Sequence, residues 1–180
     1  MLGVLTMIDR VVEKIKRSYR NRVFYEKTGQ RANLVGDIVL INQNLRIGKN
    51  VTIYPYVQIF GDGLIEIGDN VTIGTGTILY ASKSSGGGIR IGDNTMIAAQ
   101  CYIIDTDHGT KKSEIIRNQV NSIEPVVIGS DCWIAANVTI LKGSIIHDGA
   151  IIGAKALVKG EVAGYSICVG IPAKIIKKRI

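Results

Sequence analysis

Aliphatic side chains recur along this chain at every sixth position. They stand at Val35, Ile41, Ile47, Ile53 and Ile59, then, after a two-residue slip, at Ile67, Ile73 and Leu79. The register resumes at Ile91, Ile97 and Ile103, and again from Ile128 through Ile134, Ile140, Ile146 and Ile152 to Val158. A second column, four residues on, is mostly small or β-branched, as at Val51, Val57, Val71, Thr77, Thr95, Cys101, Cys132, Val138, Ser144, Ala150 and Ala156. Gly with Asp or Asn punctuates the hexads ("IGKNVT", "IGDNVT", "IGDNTM"), which suits tight corners that need positive φ. A period of six is neither the 3.6 of a helix nor the alternation of a flat strand, and the β-branched enrichment favours strands. Each hexad therefore predicts one short strand and one corner. Such a unit cannot bury its single aliphatic alone; stacked turns pile like residues into a continuous core, giving a parallel β-helix.

Three segments leave this rhythm. Residues 1–22 place Leu5, Ile8, Val12, Ile15 and Tyr19 at helical spacing with Lys and Arg on the other side, predicting a basic amphipathic helix. That helix either packs on the β-helix or a neighbouring subunit, or makes reversible, peripheral membrane contact. Residues 80–90, "YASKSSGGGIR", pass over one coil with Ser85 at the expected aliphatic position, and their glycines suggest a flexible excursion. Residues 109–127 form a long polar insertion that returns one residue out of phase, and loops of that length in compact folds are commonly functional. The chain thus divides into a helix and linker over 1–31, a β-helix over 32–163 and a basic tail over 164–180.

Charge sharpens this division. The net +7 is concentrated at the two ends: residues 1–31 carry +5 and residues 170–180 carry +4, leaving the body at −2. A nucleic-acid reader would spread cation and aromatics over one face, so no nucleic-acid partner is expected. The basic end instead suits an anionic small ligand. Cys101, Cys132 and Cys168 fit neither a disulfide framework nor a CxxC clamp and read as small buried side chains in a reducing compartment. No stretch approaches the roughly 20 apolar residues of a membrane span, and "MLGVLTMI" lacks the flanks of a signal peptide. A cytoplasmic location is expected, with contact at the inner membrane surface open through residues 1–22.

Candidate chemistry gathers where the repeat breaks. In "IIDTDHG", Asp105, Asp107 and His108 arrive together just before the long insertion. Asp107 falls in the phase that elsewhere holds Val, Thr, Cys or Ala, so either the chain has already left the coil or a carboxylate sits where packing forbids it. The other histidine, His147, falls at a turn position and reads as exposed and inert; with only two histidines, no metal site is expected. Gly-x-Ser-x-Gly is absent.

The hexads, the loop-borne histidine, "CWIAAN" and the "GIPAK" tail together resemble the hexapeptide-repeat acyltransferases, in the branch that acetylates sugars and polysaccharides. The resemblance covers residues 32–180. It implies a left-handed parallel β-helix, against the usual right-handed crossover rule, and a homotrimer with active sites between subunits. It also implies an acetyl-CoA-dependent O-acetyltransferase in which His108 is the general base that activates a sugar hydroxyl, with Asp105 or Asp107 orienting its ring. By the same resemblance Trp133 walls the acyl pocket beside Ala135, Ala136 offers an amide to the thioester oxygen and Ala154 one to the pantetheine arm. Pro172 shapes the turn before Lys174 and Lys177, which meet the phosphates of coenzyme A; Lys178 and Arg179 either add charge or fray. Ala135 and Lys155 stand where the family often has Gly. The family's acceptor-binding residues do not match at 76–80, leaving the 80–90 excursion as their replacement. N-acylation of an amino sugar and a non-catalytic β-helix scaffold are the alternatives.

Overall fold

The computed structural model describes residues 2–83 and 86–180. The hexads stack in register as three parallel sheets, the faces of a triangular prism of seven turns. The inward residues of sheet 1 are Leu34, Ile53, Ile73, Ile97, Ile134, Ile152 and Cys168. Sheet 2 contributes Leu40, Ile59, Leu79, Ile103, Ile140 and Val158. Sheet 3 contributes Ile47, Ile67, Ile91, Ile128, Ile146 and Val162. The predicted aliphatic column is buried from Ile53 onward, and the second column fills the corners with buried Val, Thr, Cys, Ser and Ala. Burying one such side chain contributes about 1.5–3 kcal/mol. Because each one touches its equivalents in the turns above and below, Ile134→Ala is expected to cost about 2–5 kcal/mol, read as a lower urea midpoint.

From each inward residue of sheet 1 to that of sheet 2, and from sheet 3 to the next turn of sheet 1, the chain advances six residues every time. From sheet 2 to sheet 3 it advances 7, 8, 12, 25, 6 and 4 residues in successive turns. All departures from the hexad therefore lie stacked on one edge of the prism. This corrects the expectation for 80–90: no coil is skipped, and the excursion is a lengthened corner between Leu79 in sheet 2 and Ile91 in sheet 3. Ser85 itself lies outside the described residues.

The first turn also differs from expectation. Leu34 and Leu40, not Val35 and Ile41, pair with Ile53 and Ile59, and Ile41 is 59% exposed. The reason is the cap. Helix α1 runs over Leu2–Thr28, six residues beyond the predicted end. It stops at Gly29, whose φ of 69° and amide bond to the Tyr25 carbonyl make a left-handed helix end. Phe24 is buried against the core, and side chains of α1 and its linker satisfy the open edge of each sheet. Asn21 accepts from the Leu34 amide, Lys27 donates to the Leu40 carbonyl, and Gln30 bonds both the Leu45 carbonyl and the Ile47 amide. The helix thus lies across the N-terminal end of the prism and covers edges that would otherwise invite another strand.

At the other end, Ser166–Val169 completes the seventh turn in sheet 1, so the β-helix extends past residue 163. After a cis Ile171–Pro172 bond the tail folds back as an antiparallel strand, Lys174–Lys178, on Ser166–Val169.

Candidate active site

The elaborated edge carries the candidate base. After Ile104 the chain leaves the coil in a hairpin, Thr106–Asp107 against Ser122–Ile123, so the out-of-phase Asp107 is solvent-exposed rather than packed in a corner. His108 follows on the outward branch and is exposed; among the described residues its ring has no hydrogen-bond partner. Gln119 pins the loop it opens: its buried amide accepts from the Lys111 amide at 2.8 Å and donates to the carbonyls of Lys111 and Glu114 at 2.8 Å. The loop tips Ile115, Ile116 and Val120 are 70%, 60% and 90% exposed.

The two aspartates separate. Asp105 is fully buried and accepts the Ser82 amide on Oδ1 and the Gly88 amide on Oδ2, both at 2.8 Å. It therefore clasps the two ends of the 83–87 excursion and stitches that corner to the hairpin in the next turn. Two of the three glycines serve this closure. A Cβ on Gly87 would lie 2.7 Å from Asp105 Oδ2, and Gly88 has a φ of 128°. Asp107 keeps its oxygens free of amide donors among the described residues, and its contact is Lys142 at 3.9 Å. Lys142, one turn beneath the hairpin, also pairs with Glu124; nothing in the sequence singled it out.

The residues expected to hold the acyl donor line up on a different edge, between sheets 1 and 2. Trp133 stands outward on sheet 1, 48% exposed, in register with the equally open Met96. Ala135 donates its amide to Ile152 and is spent on the coil. The amides of Ala99, Ala136 and Ala154, stacked one turn apart at this corner, donate to nothing among the described residues. Lys155 has a φ of 60°, which explains why a glycine fits that place so readily. Gly170 and Ala173, flanking Pro172, bond Leu157 and continue the same edge, and the tail carries Lys174 and Lys177 with both side chains exposed. Arg179 is not frayed: it pairs with Asp131 at 2.8 Å, while Lys178 donates to the Gly164 carbonyl at 3.3 Å.

His147 rests against Glu161 at 2.6 Å. All three cysteines are buried, and burial pushes the thiols of Cys101 and Cys132 upward from their ordinary pKa, which suppresses the thiolate a nucleophile needs.

Known proteins share this architecture. A model described as bacterial transferase hexapeptide (six repeats) matches residues 125–160, and one described as the hexapeptide repeat of succinyl-transferase matches 39–81. The chain is 34% identical over 145 residues to the putative lipopolysaccharide biosynthesis O-acetyl transferase WbbJ of Escherichia coli, covering 75% of this chain and 72% of that protein. It is 37% identical over 140 residues to a probable acetyltransferase of Mycobacterium tuberculosis, covering 77% of this chain and spanning 44% of the length of that relative. The crystal structure of a single-residue serine-to-cysteine mutant of AntD, an N-acyltransferase from Bacillus cereus, in complex with dTDP-4-amino-4,6-dideoxyglucose and coenzyme A, superposes with a TM-score of 0.73 at 22% identity, covering 83% of this chain and 81% of that one. The chain belongs to the bacterial hexapeptide-repeat acyltransferases, and its fold is their left-handed parallel β-helix.

Proposed function

We propose that the chain transfers an acetyl group from acetyl-CoA to a hydroxyl of a sugar or surface-polysaccharide unit, with His108 as general base. The observation that carries this reading is a complementary pair of features unsatisfied among the described residues: an exposed imidazole without a partner on one edge, and a row of unpaired amides leading to exposed lysines on another. The His108 ring takes the hydroxyl proton as the oxygen attacks the thioester carbonyl. The amide of Ala136 receives the developing oxyanion, an interaction commonly contributing about 3 kcal/mol. The carbon–sulfur bond then breaks and the departing thiolate takes the proton from the imidazolium. Asp107, whose oxygens carry no amide, is the better candidate than Asp105 for orienting the ring.

The two edges of one chain are separated by the whole width of sheet 2, roughly 15–20 Å for a hexad at about 3.3 Å of rise per residue. A thioester at Ala136 therefore does not reach its own His108. A symmetric trimer resolves this by setting the hairpin edge of one protomer against the amide edge of the next, and the bare Ile115, Ile116 and Val120 at the loop tip suit burial there.

The test is thiol release from acetyl-CoA across a panel of mono- and oligosaccharides that includes amino sugars. Hydroxyl-only acceptors are expected to turn over. Turnover confined to amino sugars would transfer the reading to N-acylation, and neither turnover nor coenzyme A binding would leave a scaffold. On a productive acceptor, Lys174→Glu with Lys177→Glu is expected to raise KM for acetyl-CoA by about tenfold with kcat little changed, the pattern of lost phosphate contacts remote from the reacting atoms.

A further inference from the structure

Helix α1 has two opposed sides, and only one is used. Arg17 bonds Asn33, Arg20 the Val35 carbonyl and Asn21 the Leu34 amide, Phe24 is buried, and Lys27 bonds the Leu40 carbonyl. At about 100° per residue these positions share one side of the helix. Ile8, Val11, Ile15 and Tyr19 occupy the opposite side and are 53%, 50%, 64% and 68% exposed, with Met7 and Val12 beside them at 70% and 39%. Since α1 lies across the end of the prism, that stripe faces along the prism axis, away from the body. In an assembly with parallel axes every copy presents its stripe in the same direction, forming one broad apolar end.

We infer that this end is a docking surface for a bilayer carrying anionic lipid. The distribution of charge selects that occupant. Lys14 and Lys16 border the apolar arc on its two flanks, where long basic side chains reach past an apolar face to head groups, whereas Asp9 and Glu13 lie toward the back. Arg10, Arg17 and Arg20 lie on the body side of the helix, so the charges that border the stripe are Lys14 and Lys16, the latter 3.3 Å from Glu13; a second copy stacked end to end would set these lysines against their equivalents, and an anionic surface would bring the opposite sign. No described helix is long and apolar enough to cross a membrane, so the contact is peripheral. The assignment rests on the helix alone and does not depend on the acetyl-transfer reading.

The experiment is co-sedimentation of the full chain with vesicles of phosphatidylcholine alone and of phosphatidylcholine mixed with phosphatidylglycerol. Binding is expected to the mixed vesicles, to fall by about tenfold or more in the double variant Ile8→Gln with Ile15→Gln, and to weaken with added salt. A second variant, Lys14→Gln with Lys16→Gln, leaves the stripe intact and is expected to lose the preference for the anionic vesicles. All four positions are exposed, and unchanged thermal melts establish that the variants fold. Equal pelleting with both vesicle types, or none with either, overturns the assignment. So does a stripe-dependent doubling of mass in sedimentation velocity without lipid, which would make the occupant a second copy.

Discussion

His108→Ala is expected to lower the rate of thiol release by about 10²–10⁴-fold while the melting temperature and coenzyme A binding stay near those of the parent. The ring is exposed and bonds nothing within the described chain, so its removal exposes no core and orphans no donor. On the proposed mechanism, what disappears is the group that accepts the hydroxyl proton in the transition state. A loss divided between rate and stability would instead give the ring a structural task. Mixing adds a readout of which chain supplies which half. Ala136→Phe is expected to block the amide edge and to inactivate a homotrimer. Refolding it together with the His108→Ala chain is expected to restore part of the activity, because one interface of a mixed trimer then joins an intact hairpin to an intact amide edge. If base and amide row served the same chain, no mixture would recover turnover.

The period of six was readable because a prism stacks each aliphatic on its equivalent a full turn away, so any drift on two of its edges would throw the column out of the core. The first turn was not readable. Leu34 and Val35, and again Leu40 and Ile41, are adjacent aliphatics, and a one-residue slip exchanges the buried and exposed sets. The choice is made by α1, which bonds the edge amides and carbonyls of that turn from far along the chain. Gly29 did mark the true helix end, and weighing it as a left-handed terminus would have moved the boundary past residue 22. For the site, the residue types were legible and their grouping was not. Asp105 and Asp107 look alike in "IIDTDHG", yet one is clasped by amides from the preceding turn and the other is exposed. Only the register of turns, 23 residues back to Ser82, distinguishes them.

Asp105→Ala is expected to destabilise the fold by about 2–6 kcal/mol, since it leaves the Ser82 and Gly88 amides buried without acceptors at about 1–3 kcal/mol each. The damage should concentrate in the 83–87 corner, which loses the bonds that close it, and limited proteolysis should cut there before the rest of the prism opens. Asp105→Asn keeps one acceptor oxygen but sets an amide NH2 against a backbone N–H, so an intermediate loss of stability is expected. These two variants also separate a clasp from a catalytic partner of His108. A clasp predicts that Asp105→Asn loses activity in proportion to the unfolded or cleaved fraction, with the pH dependence of kcat/KM unmoved. A carboxylate that orients the imidazole predicts a displaced pH profile at full folding. The first outcome is expected, because both Asp105 oxygens are already committed to amides of the preceding turn, whereas the Asp107 carboxylate, next to His108 in the chain, is free of any such bond among the described residues.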